Sequence, residues 1–236
     1  MGWIEIFLDG ISEAFGLILS SDAEILGIAA LSLKVSMIAT LLGAAFGVPL
    51  GFLIASRSFY GRSLTIAVIN TFMGIPPVVV GLAVYLLLSS SGPLGFLSIL
   101  YTPQAMILAQ TLLTFPVVCG LTVSSILALD QRLKETLQSL SAPKLWEAFI
   151  LLRESRIGLI TAVIAAFGAA ISEVGAIMMV GGNILGYTRA LTTAIMLYTN
   201  TGEFALAIAL GIILLLLSFG VNLALTILQM RYRKKR

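Results

Sequence analysis

No histidine occurs among the 236 residues, and Cys119 is the only cysteine. An imidazole acid or base, a Cys/His zinc site and a disulfide within the chain are therefore excluded, and no metal ligand set is assigned. Cys119 reads as a small buried hydrophobe. Charge is scarce: Asp, Glu, Lys and Arg make up 11% of the chain, against roughly 25% in a soluble globular domain. The dipeptide Gly-Lys is absent, which removes a phosphate-binding P-loop. No grouping of nucleophile, base and oxyanion donors is visible, so no residue is assigned a catalytic role and the chain is not read as an enzyme. Basic residues are missing altogether before Lys34.

What remains is apolar. Hydrophobic residues form 59% of the chain, mean hydropathy is +1.08, and several runs are as long as a membrane span requires. They are continuous rather than alternating, which selects helices over a barrel. The fold class is all-α: a polytopic helical membrane protein with about five spans, over 25–55, 64–88, 104–129, 159–180 and 203–230. Residues 1–24 place Ile4, Phe7, Leu8, Ile11, Phe15 and Ile18 opposite Glu5, Asp9, Ser12 and Glu13. That pattern predicts an amphipathic helix at the interface, with a short sixth span as the other reading, and the missing positive charge argues against a cleavable signal peptide. The transmembrane domain covers 25–230, and 231–236 form a basic tail. A further helix is expected over 190–198.

The charges sort by side. The stretch 132–158 is the one long charged interlude, and an even number of spans separates it from Arg57 and Arg62 and from the tail. The acidic N-terminal segment falls on the other side. Basic residues mark the cytoplasmic face, so the N-terminus is expected outside and the C-terminus in the cytoplasm. The net charge of +3 then reads as topology and lipid attraction, with no nucleic-acid partner.

Polar and helix-breaking residues inside the spans mark either packing kinks or the wall of a polar path: Asn70, Pro76 and Pro77 in the second, Gln110, Thr111, Thr114 and Pro116 in the third, Ser172 and Glu173 in the fourth. Gly43, Gly47 and Gly51 recur every four residues and predict a close helix approach. Glu173 is a carboxylate within a span and so a functional-site candidate, expected to be structural or gating, paired with Arg189 or satisfied by backbone donors. Lys34 and Arg189 are both expected near the outer side, where they either raise local anion concentration or snorkel and pair within a loop.

Within the charged stretch, residues 135–153 read ETLQSLSAPKLWEAFILLR. They resemble the EAA loop of permease subunits of ATP-binding cassette importers, with Glu135 at its acidic position, Ser141 at its glycine, and Leu151 and Leu152 at its closing apolar positions. Thr136 and Leu137 replace the usual alanines, and the usual proline is missing. Residues 166–195, AFGAAISEVGAIMMVGGNILGYTRALTTAI, look like the Glu-x-Gly, Gly-Asn-Ile-x-Gly and Thr-Arg segment of molybdate, tungstate and sulfate permeases. Within that group, 180–195 are most similar to the tungstate permeases. Together with 31–52 and 74–82, the similarity covers most of residues 31–229.

The resemblance implies a type I importer permease in the cytoplasmic membrane of a prokaryote. It would work as a homodimer with two ATP-binding cassette subunits and an extracytoplasmic oxyanion-binding protein. No cofactor is expected on this chain, since ATP and magnesium would sit on the partner ATPase. A coupling helix over about 142–149 would dock into that ATPase, using Glu135, Ser141, Ala142, Pro143, Lys144, Leu145, Trp146 and Phe149. An amphipathic helix on the inner leaflet is the competing reading. The substrate implied is an oxyanion, tungstate first, with molybdate or sulfate as alternatives. An ion-coupled secondary transporter would need inverted repeats and more intramembrane ionisable groups, and a membrane enzyme would need the catalytic groups the chain lacks.

Overall fold

The computed structural model describes residues 3–20, 22–140 and 143–233. Eleven α-helices are described: α1 (Trp3–Ser20), α2 (Ala23–Ser56), α3 (Arg62–Met73), α4 (Pro77–Leu88), α5 (Pro103–Leu127), α6 (Gln131–Ser139), α7 (Lys144–Glu154), α8 (Arg156–Ile171), α9 (Gly175–Gly181), α10 (Leu191–Thr201) and α11 (Phe204–Arg233). Three of them are long and apolar enough to cross a membrane: α2, α5 and the Phe204–Arg231 part of α11. Two bent pairs, α3 with α4 and α7 with α8, raise the number of crossings to five if each pair is one span.

The α2–α5 pair is the centre of the bundle, and its closeness follows from the glycine repeat. A Cβ on Gly47 would lie 3.0 Å from the Phe115 carbonyl oxygen, and one on Gly51 would lie 2.6 Å from that of Cys119. Gly43 faces Thr114, whose hydroxyl donates across the interface to the Ala39 carbonyl at 3.1 Å. Absent side chains let the two backbones touch, which lipid-facing packing rewards. At the far end of α2, Arg62 donates from Nε to the Ile54 carbonyl (2.9 Å) and from Nη2 to the Ala55 carbonyl (2.7 Å). A cation at a helix C-terminus meets unpaired carbonyls and the negative end of the dipole.

Two expected spans differ from the sequence reading. Residues 64–88 are not one kinked helix, because α3 and α4 meet at 94°. Gly74 closes α3 by donating its amide to Thr71 and Phe72, Pro76 is extended, and Pro77 opens α4. Consecutive prolines remove two amide donors and force the preceding residue out of the helical region. Residues 159–180 are likewise interrupted, since α8 stops at Ile171 and α9 starts at Gly175. The helix expected over 190–198 forms as α10 and extends to Thr201.

The N-terminal helix α1 packs on α11 through Gly10, where an added Cβ would lie 2.7 Å from Ile208 Cβ, and through buried Ala14. Trp3, Phe7, Leu8 and Phe15 stay exposed. Residues 234–236 of the basic tail lie outside the described residues.

Candidate functional site

The expected coupling segment forms α7, which begins at Lys144 and runs on to Glu154, further than predicted. Pro143 stands just before the helix instead of inside its first turn, while Ser141 and Ala142 lie outside the described residues. Glu135 is exposed on α6. One face of α7 is anchored by Leu151, which is buried. The other presents Leu145, Trp146 and Phe149 at 86%, 60% and 54% exposure. The Trp146 and Phe149 rings meet edge to face at 6.0 Å between centroids, and with Leu145 they line a cleft of about 300 Å³. Lys144 and Arg57 line a neighbouring cavity of about 530 Å³ at the end of α2. An apolar cluster this exposed beside basic residues has the composition of a protein-docking anchor.

The second feature is the meeting of the two chain breaks. A Cβ on Gly175 would lie 2.8 Å from Val78 Cγ2, and one on Gly81 would lie 2.7 Å from the Ala176 Cα. The segment Gly74–Pro76 therefore sits beside 172–174, and α4 packs along α9. Pro76, Pro77 and Ser172 are exposed there, and Asn70 is exposed on α3. Irregular backbone at membrane depth is tolerated where protein covers it or where it lines a water-filled space.

Glu173 holds the second break. Its carboxylate accepts from the amides of Ala176 (2.9 Å) and Ile177 (3.2 Å), capping the start of α9. Among the described residues its partners are these backbone donors and not Arg189. Two residues absent from the expected site complete the clamp. The Thr192 hydroxyl donates to the Glu173 carbonyl at 2.9 Å, and Ser32 Oγ accepts from the Leu191 amide at 2.7 Å. The only sequence trace of either is a small hydroxyl on a buried helix face.

Gln110 and Thr114, expected as polar path walls, are buried and used in packing. Gln110 Nε2 donates to the Ala170 carbonyl at 2.8 Å, which fixes the last turn of α8 against α5. Thr111 returns its hydroxyl to the Ile107 carbonyl one turn earlier. An apolar cavity of about 470 Å³ at the α3–α4 elbow, lined by Phe72, Ile75, Val79 and Phe115, contains none of these polar groups.

The Gly-Gly-Asn-Ile-Leu-Gly run after α9 is a turn whose residue types match its backbone. Gly182, Asn183 and Gly186 have φ of 71°, 52° and 72°, the left-handed region where glycine is unstrained and asparagine is tolerated. Thr188 closes it, donating to the Gly181 carbonyl and accepting from the Ile184 amide. Arg189 follows directly and shares a cavity of about 430 Å³ with Lys34, Glu24 and Tyr187.

Residues 47–234 match the family described as the inner membrane component of binding-protein-dependent transport systems. The chain belongs to this family. The permease is 41% identical over 96% of its length, and 99% of the relative's, to the tungstate uptake system permease protein TupB of Peptoclostridium acidaminophilum. It is 45% identical to a probable anion ABC transporter permease protein of Haloferax volcanii, over 84% of its own length and 88% of that protein's. Among solved structures, a chain of the MetNI methionine ABC transporter superposes with a TM-score of 0.72 at 17% identity, covering 89% of the permease and 96% of that chain. At that identity the likeness concerns the fold, which is that of a type I importer permease. Relatives of this kind are transport subunits, and membership sets aside an ion-coupled secondary transporter.

Proposed function

We propose that the chain is the membrane-spanning subunit of an importer that carries a tetrahedral oxyanion, tungstate first, into the cytoplasm. Two copies pair, each docks α7 into one of two ATPase subunits that hold ATP and magnesium, and a binding protein delivers the anion from outside. The N-terminus is outside and the C-terminus is cytoplasmic, an orientation supported by Arg57, Lys144 and Arg62 gathering at one end of α2. This chain supplies the route and the partner subunits supply the chemistry.

The observation that carries this reading is the exposed Leu145, Trp146 and Phe149 face on a helix whose opposite side is anchored by Leu151. A single aromatic-rich anchor of this kind concentrates interface energy. The choice of tungstate rests on the similarity to TupB over nearly the whole chain. Mechanistically, ATP closing the ATPase pair draws the two α7 helices together and shifts the population toward an outward-open route. The paired breaks at Gly74–Pro76 and 172–174 line that route, where neutral donors and bare backbone hold a dianion weakly enough to release it.

The test is reconstitution of the chain with its ATPase and binding protein in proteoliposomes. Tungstate uptake with ATP hydrolysis stimulated by the loaded binding protein is the expected result, and uptake restricted to a non-oxyanion solute would refute it. Calorimetry of the binding protein with tungstate, molybdate and sulfate then orders the three anions.

A further inference from the structure

Lys34 and Arg189 are 155 positions apart in sequence, yet both line the cavity of about 430 Å³ between α2 and the turn that precedes α10. Among the described residues neither side chain is engaged by a carboxylate, and the buried Arg189 Nε has no hydrogen-bond acceptor. A buried N–H left without an acceptor is costly, so the arrangement calls for an acceptor that no described residue provides. Glu24 also lines the cavity, giving two positive groups against one negative. Tyr187 lines the cavity as well.

The backbone that carries the two cations is fixed in place. Arg189 sits between two fixed points: its own amide donates to the Ile184 carbonyl at 2.9 Å, and the Leu191 amide donates to Ser32 Oγ at 2.7 Å. Ser32 is two residues before Lys34 on α2, so one hydrogen bond sets the register of both charges. Space is left open by glycine, since a Cβ at Gly27 or Gly186 would meet nothing within 4 Å. Lys34 and Arg57 are separated along α2 by about 35 Å at the helical rise, close to the roughly 30 Å hydrocarbon thickness. The cavity therefore lies about one hydrocarbon thickness along α2 from the end that adjoins α7.

We infer that this cavity is a reception site for a free tetrahedral oxyanion, bound between the Lys34 ammonium and the Arg189 guanidinium before it enters the route. This rests on the reading of the chain as an oxyanion importer subunit. A guanidinium fork and an ammonium together match an anion that presents several acceptor oxygens. Exposure of Lys34 keeps binding weak and sensitive to salt, as a transfer point needs. Thr192, three residues after Arg189, is bonded to the Glu173 carbonyl, so the site adjoins the break that lines the route.

The test uses the full transporter in phosphatidylcholine nanodiscs without the binding protein, dialysed to equilibrium against sodium tungstate, with bound tungsten counted by mass spectrometry. Saturable binding is expected, displaced by molybdate and sulfate and weakened roughly tenfold by either Arg189→Gln or Lys34→Gln. Lys34→Arg keeps the charge and binds like the parent, whereas Gly27→Leu fills the space and blocks binding. Particle size and unfolding temperature stay those of the parent in all four, which separates site loss from misfolding. Equal tungstate binding by the parent and both Gln variants overturns the inference. Retention of phosphatidylglycerol by the parent but not by Arg189→Gln, with no competition from tungstate, assigns the site to a lipid phosphate and also overturns it. Tungstate uptake by the complete reconstituted transporter is measured alongside. Uptake without cavity binding refutes this inference alone, while failure to move any oxyanion refutes the reading beneath it.

Discussion

The two ends of α2 are built by opposite means. At the Arg57 end, α7 is anchored through Leu151 and turns Leu145, Trp146 and Phe149 outward. At the Lys34 end, the turn before α10 is tied by Thr188, Ser32, Thr192 and Thr193, and its Arg189 shares a cavity with Lys34 of α2. A surface that receives a protein gains from apolar area that docking removes from water. A surface that handles a small anion gains from donors fixed in place, because an anion's oxygens do not tolerate a loose shell. One chain thus has an apolar end and a pinned end, joined by α2.

The contrast is broken most directly at Trp146. Trp146→Ala removes the central anchor, at a cost on the order of 2 kcal/mol or more in docking. ATP hydrolysis stimulated by the binding protein should fall more than about tenfold, while thermal unfolding of the purified chain stays unchanged because the ring is exposed. At the pinned end, Glu173→Ala leaves the Ala176 and Ile177 amides without an acceptor, a loss of about 2 to 4 kcal/mol. A lowered unfolding temperature with lost uptake is expected, and Glu173→Gln, which keeps an acceptor oxygen, should recover much of the stability. If both variants unfold like the parent, the clamp is not what holds the break.

The shaft between the ends is probed by Gly51→Val, whose added carbons meet the Cys119 carbonyl and Thr122. Overpacking of about 1 to 3 kcal/mol should appear as a lower unfolding temperature. Arg62→Ala carries the smallest effect, about 1 kcal/mol, because it removes only a C-terminal cap on α2. A drop in stability that disappears in Arg62→Lys would show that charge alone suffices, whereas the two carbonyl contacts predict that lysine rescues only in part.

Much of this was legible in advance for particular reasons. The glycine repeat of α2 announced a close contact because no other residue permits one. The Leu-Trp-x-x-Phe pattern of α7 places three large apolar side chains among charges, and the fold leaves them exposed. The prolines at 76 and 77 were read as a kink, yet they end α3 altogether, since Gly74 supplies the stop and the prolines forbid continuation. Gln110 and Thr114 suit either packing or the wall of a polar path by their chemistry. Their hydrogen bonds go to Ala170 and Ala39, and side-chain chemistry alone does not reveal which carbonyl lies within reach.

Composition, hydropathy and the placement of basic residues by themselves determined a helical membrane protein, the ends of most spans and the apolar face of α7. These are properties of each segment against its solvent, so they are read without knowing its neighbours. Only the tertiary structure decided that two breaks meet, that Glu173 caps α9 instead of pairing with Arg189, and that Lys34 and Arg189 share one cavity. Each of those depends on which distant backbone group comes within about 3 Å of a side chain, and that distance is a property of packing.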